Sequence, residues 1–189
     1  PSLRTRLSTQ KAAKNLGLDV MVMNFSNEAW AIEYENETIM SGLRSEHVKE
    51  AAQVVSQYCD FIAIRAFASL TDQKRDEEEV VLRKFAAFAS VPIINMESAT
   101  AHPLQALADG LTIDEQLTIK QPKIVLSWAP HPKALPHAVA NSFIGLMNHT
   151  KADFVITHPE GYDLNPAIVG NHKVEYNQEK ALEGADVVY

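Results

Sequence analysis

Cysteine is almost absent from this sequence. Cys59 is the one thiol in 189 residues, which excludes an internal disulfide framework and a cysteine-rich zinc site and leads us to expect a reducing, cytoplasmic setting. No apolar run approaches the roughly 18 residues of a membrane-spanning helix, and no charged start with an apolar core marks a leader peptide, so no membrane partner is expected. Positive charge is in short supply as well, with 17 Lys and Arg against 24 Asp and Glu, a net charge of −7. Such a chain repels the phosphates of nucleic acids and anionic membranes; any anion it binds must be held locally. Glycine is scarce, at 7 residues, and neither G-x-G-x-x-G nor G-x-x-x-x-G-K occurs, so dinucleotide and nucleotide sites of the usual kinds have no support. With 46% hydrophobic and 22% charged residues, the composition is that of a globular protein.

What is present alternates. Ser2–Leu16 lacks Gly and Pro and is followed by Gly17, where a helix would stop. Asp19–Met23 reads as a short strand, and a polar stretch around Trp30 follows it. Ser45 can cap a helix in which Val48, Ala51, Ala52, Val55, Tyr58 and Cys59 keep the i, i+3, i+4, i+7 spacing. Strands are expected at Phe61–Ala66, Val91–Met96, Ile124–Trp128 and Phe154–Thr157. Between them lie a helix with an acidic first turn (Asp76–Glu79) and Leu82, Phe85, Ala86 and Ala89 inward, a helix started by Pro103 with Leu104, Leu107, Ala108 and Leu111, and a helix through Leu135, Ala138, Val139 and Leu146. Continuous apolar strands separated by amphipathic helices mark parallel sheets covered on both faces. The fold class is therefore α/β, with two doubly wound parallel-sheet domains, 1–119 and 120–189, hinged near Lys120. The start at Pro1 and the strand beginning before Tyr189 lead us to expect a piece of a longer protein, with both domains incomplete.

Ligands of open parallel sheets bind at the carboxyl ends of strands. The polar residues there are Arg65, Glu97 and His102, His131 and His158, and three of these histidines precede proline. One His-Pro pair is a convenient strand-to-helix turn. An arginine ending an apolar strand beside histidines and a glutamate is better read as functional. These histidines lie on separate strand ends without His-x-x-x-His spacing, so no metal is expected. At the other end of the sequence, Ser2, Leu3, Arg4, Thr5 and Arg6 bring hydroxyls, amide N–H groups and guanidinium groups to one helix start, as phosphate sites do. Cations are disfavoured at that end unless an anion is expected there.

These residues resemble the carbamoyltransferase family. Ser-Leu-Arg-Thr-Arg at 2–6 is similar to its S-T-R-T-R carbamoyl phosphate motif, and His102-Pro103-Leu104-Gln105 to its H-P-x-Q motif, with Arg65 as a third anchor. Trp30, Trp128-Ala129-Pro130-His131-Pro132 and the turn to Pro136 resemble the branch acting on N-acylated ornithine, and the likeness covers the whole chain. It implies carbamoyl phosphate and N-acylornithine as ligands and no cofactor. Ser2, Leu3, Arg4 and Thr5 would bind the phosphate, with Pro103 and Leu104 in the same pocket. Thr5, Arg65 and His102 would meet the carbamoyl oxygen as catalytic groups, and Gln105 would hold the NH2. Trp30 would reach the neighbouring subunit's site in a homotrimer, and Glu97 and His131 would face the acylated amino acid. Ser45 lies where acyl selectivity is expected, with N-succinylornithine the preferred substrate. The loop stiffened by Pro130, Pro132 and Pro136 matches the one threaded in a knot in that branch, whose threading part would follow Tyr189.

Two other readings stand beside this one: an ordinary ornithine or aspartate carbamoyltransferase, and a non-catalytic anion-binding relative. Cys59 is read as a small core residue, and His137 and His149 as surface or capping groups.

Overall fold

The computed structural model describes residues 3–25, 31–35, 39–40, 44–128 and 135–189. It divides into two compact units, 1–51 and 52–189. In the first unit α1 (Leu3–Asn15) forms where the uninterrupted run predicts it, and Gly17 ends it at φ +72°, a conformation that costs glycine little. β1 (Ile32–Glu33) pairs in parallel with β2 (Glu46–His47). Glu33 is buried, yet its carboxylate accepts from the Glu35 backbone N–H at 2.8 Å and from Arg44 Nη1 at 2.6 Å. These bonds, the backbone one foremost, hold its pKa below the usual carboxylate range. The strand expected over Asp19–Met23 does not form. Its residues have no paired partner among the described ones, and Met21 and Met23 stand in the open. A strand is a paired object, and apolar alternation does not supply the second chain.

α2 (Val48–Val55) follows β2 directly and buries Val48, Ala51 and Ala52. It is shorter than its spacing predicts, because the chain turns after Val55. Tyr58 is therefore exposed, and Cys59, only half-buried, leans back to the Val55 carbonyl at 3.2 Å. β3 (Ile62–Arg65) pairs in parallel with β4 (Ile93–Glu97). The single helix expected between them is two, α3 (Gln73–Glu77) and α4 (Val80–Phe88), broken by Glu79 at φ +48°. The Glu79 carboxylate accepts from the Thr100 N–H and hydroxyl, at 3.1 and 2.6 Å. The break turns the helix face, so Phe85 is buried while Ala86 is exposed.

α5 (Pro103–Gln116) also presents a face other than the apolar one: Leu104, Leu107 and Leu111 are exposed, and Ala106 is buried. α5 packs on α6 (Ala138–Met147) so closely that a Cβ on Gly110 would stand 3.2 Å from Leu146 Cδ1.

The larger sheet runs β7-β6-β5-β8, all parallel, from β5 (Lys123–Ser127), β6 (Asp153–Thr157), β7 (Lys173–Val174) and β8 (Val187–Val188). α7 (Pro166–Val169) and α8 (Gln178–Leu182) connect its later strands. Phe143 and Ile144 of α6 pack with Ile124, Leu126, Phe154 and Ile156 into the core. At roughly 1.5–3 kcal/mol per buried large apolar side chain, this cluster is the main anchor of the second unit. The α/β class with parallel sheets is as the sequence predicts.

Candidate functional site

Two of the expected site residues meet at the carboxyl ends of β3 and β4. The register between these strands slips by one residue after Ile64↔Asn95, so that Arg65 stands opposite Glu97. Such a bulge re-aims a side chain at the end of a strand. Arg65 Nε donates to Glu97 Oε2 at 2.7 Å, and Nη2 donates to the same oxygen. His102 brings Nε2 to 3.5 Å from that oxygen. One carboxylate oxygen thus gathers a guanidinium and an imidazole, with side-chain exposures of 19% for Arg65, 14% for His102 and 10% for Glu97. The group is recessed, where charge–charge forces exceed those at an exposed surface. Phe67 backs the guanidinium, with Cζ 4.5 Å from its ring centroid.

His102 is placed by its neighbours. It precedes Pro103 at the first turn of α5, the position where a missing N–H costs nothing. Its own backbone N–H donates to Ser142 Oγ at 2.7 Å. The turn before it is closed by the Ser98 N–H donating to the Ala101 carbonyl at 2.7 Å, and Asn141 Nδ2 holds the Thr100 carbonyl at 3.0 Å. With Nε2 beside Glu97, Nδ1 is buried and has no hydrogen-bond partner among the described residues. A buried polar atom without a partner carries a desolvation cost, and this one lies on a residue flanked by two hydrogen-bond networks.

Gln105, one turn further along α5, donates Nε2 to Asp109 Oδ1 at 2.8 Å. The other Asp109 oxygen accepts from the Tyr189 hydroxyl at 2.8 Å. Asp109, Ser142 and Phe67 were not singled out from the sequence. Asp109 carried a signal, since it follows Gln105 by four residues, the spacing of facing helix neighbours. Ser142 and Phe67 carried none.

Leu3, Arg4 and Thr5 occupy the first turn of α1, with Leu3 and Arg4 exposed. Ser2, Trp30 and His131 lie outside the described residues. Pro103 and Leu104 open α5 and are exposed. Among the described residues, no group of three or more His, Cys, Asp or Glu is arranged to hold a metal ion, and no helix is long and apolar enough to cross a membrane. His158, at the end of β6, is buried; Nδ1 lies 2.9 Å from the Pro159 carbonyl and the ring meets Tyr176 edge-on.

The arrangement offers converging guanidinium and imidazole N–H donors at the mouth of a parallel sheet, suited to an oxyanion or a polarised carbonyl. Known proteins resemble this sequence over the whole chain. The sequence is 54% identical over 188 residues to the N-succinylornithine carbamoyltransferase of Bacteroides thetaiotaomicron and 37% identical over 204 aligned positions to the N-acetylornithine carbamoyltransferase of Xanthomonas campestris pv. campestris. All of this chain is covered, and it spans 59% and 60% of those relatives' lengths. The crystal structure of an acetylornithine transcarbamylase complexed with acetylcitrulline superposes with a TM-score of 0.93 at 37% identity, covering 100% of this chain and 61% of that one. Residues 1–115 match the family described as aspartate/ornithine carbamoyltransferase, carbamoyl-P binding domain, and the chain belongs to the aspartate/ornithine carbamoyltransferase family.

Proposed function

We propose that the protein carrying this sequence transfers the carbamoyl group of carbamoyl phosphate to the δ-amine of an N-acylated ornithine, N-succinylornithine foremost, giving N-acylcitrulline and phosphate in arginine biosynthesis. The observation that carries this reading is the meeting of Arg65 and His102 at the ends of β3 and α5. The 54% identity to an N-succinylornithine carbamoyltransferase supports the choice of acceptor. The neutral amine places its lone pair on the carbamoyl carbon, and the carbonyl π electrons move onto oxygen. Arg65 and His102 donate to that oxygen as its charge grows. The tetrahedral species collapses, the C–O bond to phosphate breaks with its electron pair on the phosphate, and the new nitrogen gives up a proton to that departing phosphate. No activated protein nucleophile is required.

Residues 2–5 are proposed as phosphate ligands on the strength of their own motif. Thr5 is proposed to join the catalytic groups, Glu97 and His131 to face the acylornithine, and Trp30 to serve a neighbouring subunit of a homotrimer. The proposed domain division is 1–119 and 120–189, and the proposed setting is the cytoplasm. Assaying carbamoyl transfer to N-succinylornithine, N-acetylornithine and ornithine tests the reading. Product from the acylated substrates and little from free ornithine is expected. In the same assay, Arg65→Leu should lower kcat by about 10²–10³, the usual loss of one oxyanion donor. A folded variant with near-normal turnover would remove Arg65 from the chemistry.

A further inference from the structure

A glutamine amide can present either end to a ligand, and in isolation nothing decides which. At Gln105 the neighbours decide. Its Nε2 donates to Asp109 Oδ1 at 2.8 Å. An ionised carboxylate is an acceptor only, so the amide cannot turn its oxygen toward Asp109 without setting two acceptors face to face. A Gln–Asp pair four residues apart is by itself an ordinary helix-surface contact. This one is anchored from outside the helix. Asp109 Oδ2 accepts from the Tyr189 hydroxyl at 2.8 Å, a residue 80 positions away. Tyr189 is itself fixed: its N–H donates to the Val125 carbonyl at 2.8 Å, its carbonyl accepts from the Ser127 N–H at 2.9 Å, and its ring stacks on Phe143 at 3.9 Å and 5°. Both oxygens of Asp109 are therefore occupied by donors, one of them set by the β5–β8 end of the large sheet.

We infer that Asp109 is a positioning residue that locks the Gln105 amide with Oε1 as the group left to meet a ligand, making this position a reader of an N–H donor. The inference rests on the carbamoyl phosphate reading above and deepens it. A carbamoyl group offers its NH2 to Oε1. An acetyl group of the same shape offers a methyl and would leave a half-buried acceptor unpaired, which is how sites reject near-isosteres. Asp109 thereby sets the preference for carbamoyl over acyl phosphates without touching either. Tyr189 braces Asp109 from the far sheet, while the Asp109 carboxylate itself sets the amide.

The test compares calorimetric affinities of carbamoyl phosphate and acetyl phosphate for the protein at the full length of its relatives, in wild type and in Gln105→Leu, Asp109→Asn, Asp109→Ser and Tyr189→Phe. Wild type should prefer carbamoyl phosphate by about tenfold, the scale of one well-placed hydrogen bond. Gln105→Leu should erase the preference. Asp109→Asn can face Gln105 with either an acceptor or a donor, and Asp109→Ser removes the carboxylate; both should cut the preference severalfold, by weakening carbamoyl phosphate and not acetyl phosphate. General structural damage would weaken the two ligands together and would overturn the inference. Tyr189→Phe leaves an acceptor-only neighbour and should keep most of the preference. Full preference in both Asp109 variants, alongside its loss in Gln105→Leu, would overturn the positioning role. Preference retained in Gln105→Leu would overturn the reader itself. A wild type that binds carbamoyl phosphate selectively but transfers nothing to N-succinylornithine would sink the proposed function and leave this inference standing; one that does not bind carbamoyl phosphate sinks both.

Discussion

At the scale of single residues, Glu97 is where two demands meet. The family resemblance assigns it to the acylated amino acid, yet its Oε2 is the shared acceptor of Arg65 and His102. Exchanging the carboxylate for an amide separates these demands. In Glu97→Gln the guanidinium loses its anionic partner and should take up inorganic phosphate more tightly than in wild type, since attraction to a bound anion is no longer offset by a neighbouring carboxylate. If Glu97 acts mainly by holding Arg65, kcat should fall severalfold with little change in KM for N-succinylornithine. If it mainly contacts that substrate, KM should rise instead. Phosphate titration and steady-state kinetics on one variant separate the outcomes. Removing one member of a recessed ion pair is also costly to stability, so the melting temperature should drop and recover in part when phosphate is added.

At the scale of elements, the long apolar strands and the Gly- and Pro-bounded helices were legible, whereas their interruptions were not. Apolar runs located β3–β6 and a buried apolar stripe located α6, whereas α1 and α5 were bounded by Gly17 and Pro103, and the apolar stripe of α5 stands exposed. Periodicity overran α2 into Tyr58 and missed the break at Glu79, because that break depends on Thr100, 21 residues away. The site was legible in part for the same reason. Strand-end residues such as Arg65, and the His102–Gln105 motif, are visible in one dimension, but the bulge that sets Arg65 against Glu97 and the anchoring of Asp109 by Tyr189 are not. The turn before α3 is a local device, closed within seven residues. Asp76 accepts from the Ser69 N–H at 2.8 Å and the Leu70 N–H at 2.9 Å, holding Leu70 at φ +60°. The Ser69 bond is the chief cause of a pKa below the usual aspartate value. A carboxyl depressed in the fold contributes stability above its unfolded pKa of about 3.9, and loses it as pH falls through the folded value. The loop should loosen below about pH 4, and Asp76→Asn should remove that acid sensitivity. Amide exchange at Ser69 and Leu70, followed from pH 6 to 3, would show protection independent of pH if the carboxylate is not the anchor.

At the scale of the molecule, the question is how many chains make one active site. Arg65 and His102 come together within the second unit, whereas Trp30 lies outside the described residues, in a polar stretch whose sequence shows no helix or strand pattern. An indole is an expensive group to leave in water and a common one at interfaces, where its flat face and single N–H donor serve together. The proposed homotrimer puts it to use across a subunit boundary. In a closed ring each site then draws Arg65 from one subunit and Trp30 from the next. Trp30→Ala and Arg65→Leu would each disable every site of a pure trimer, but in a ring of both kinds one boundary always joins an intact Arg65 to an intact Trp30. Random exchange of equal amounts makes three-quarters of the trimers mixed, each with one good site in three, so activity should return to about a quarter of wild type. Mass spectrometry of the intact complexes would verify the exchange. Fully exchanged mixtures that stay inactive would mean that each chain builds its site alone, and Trp30 would then have to be explained within its own chain.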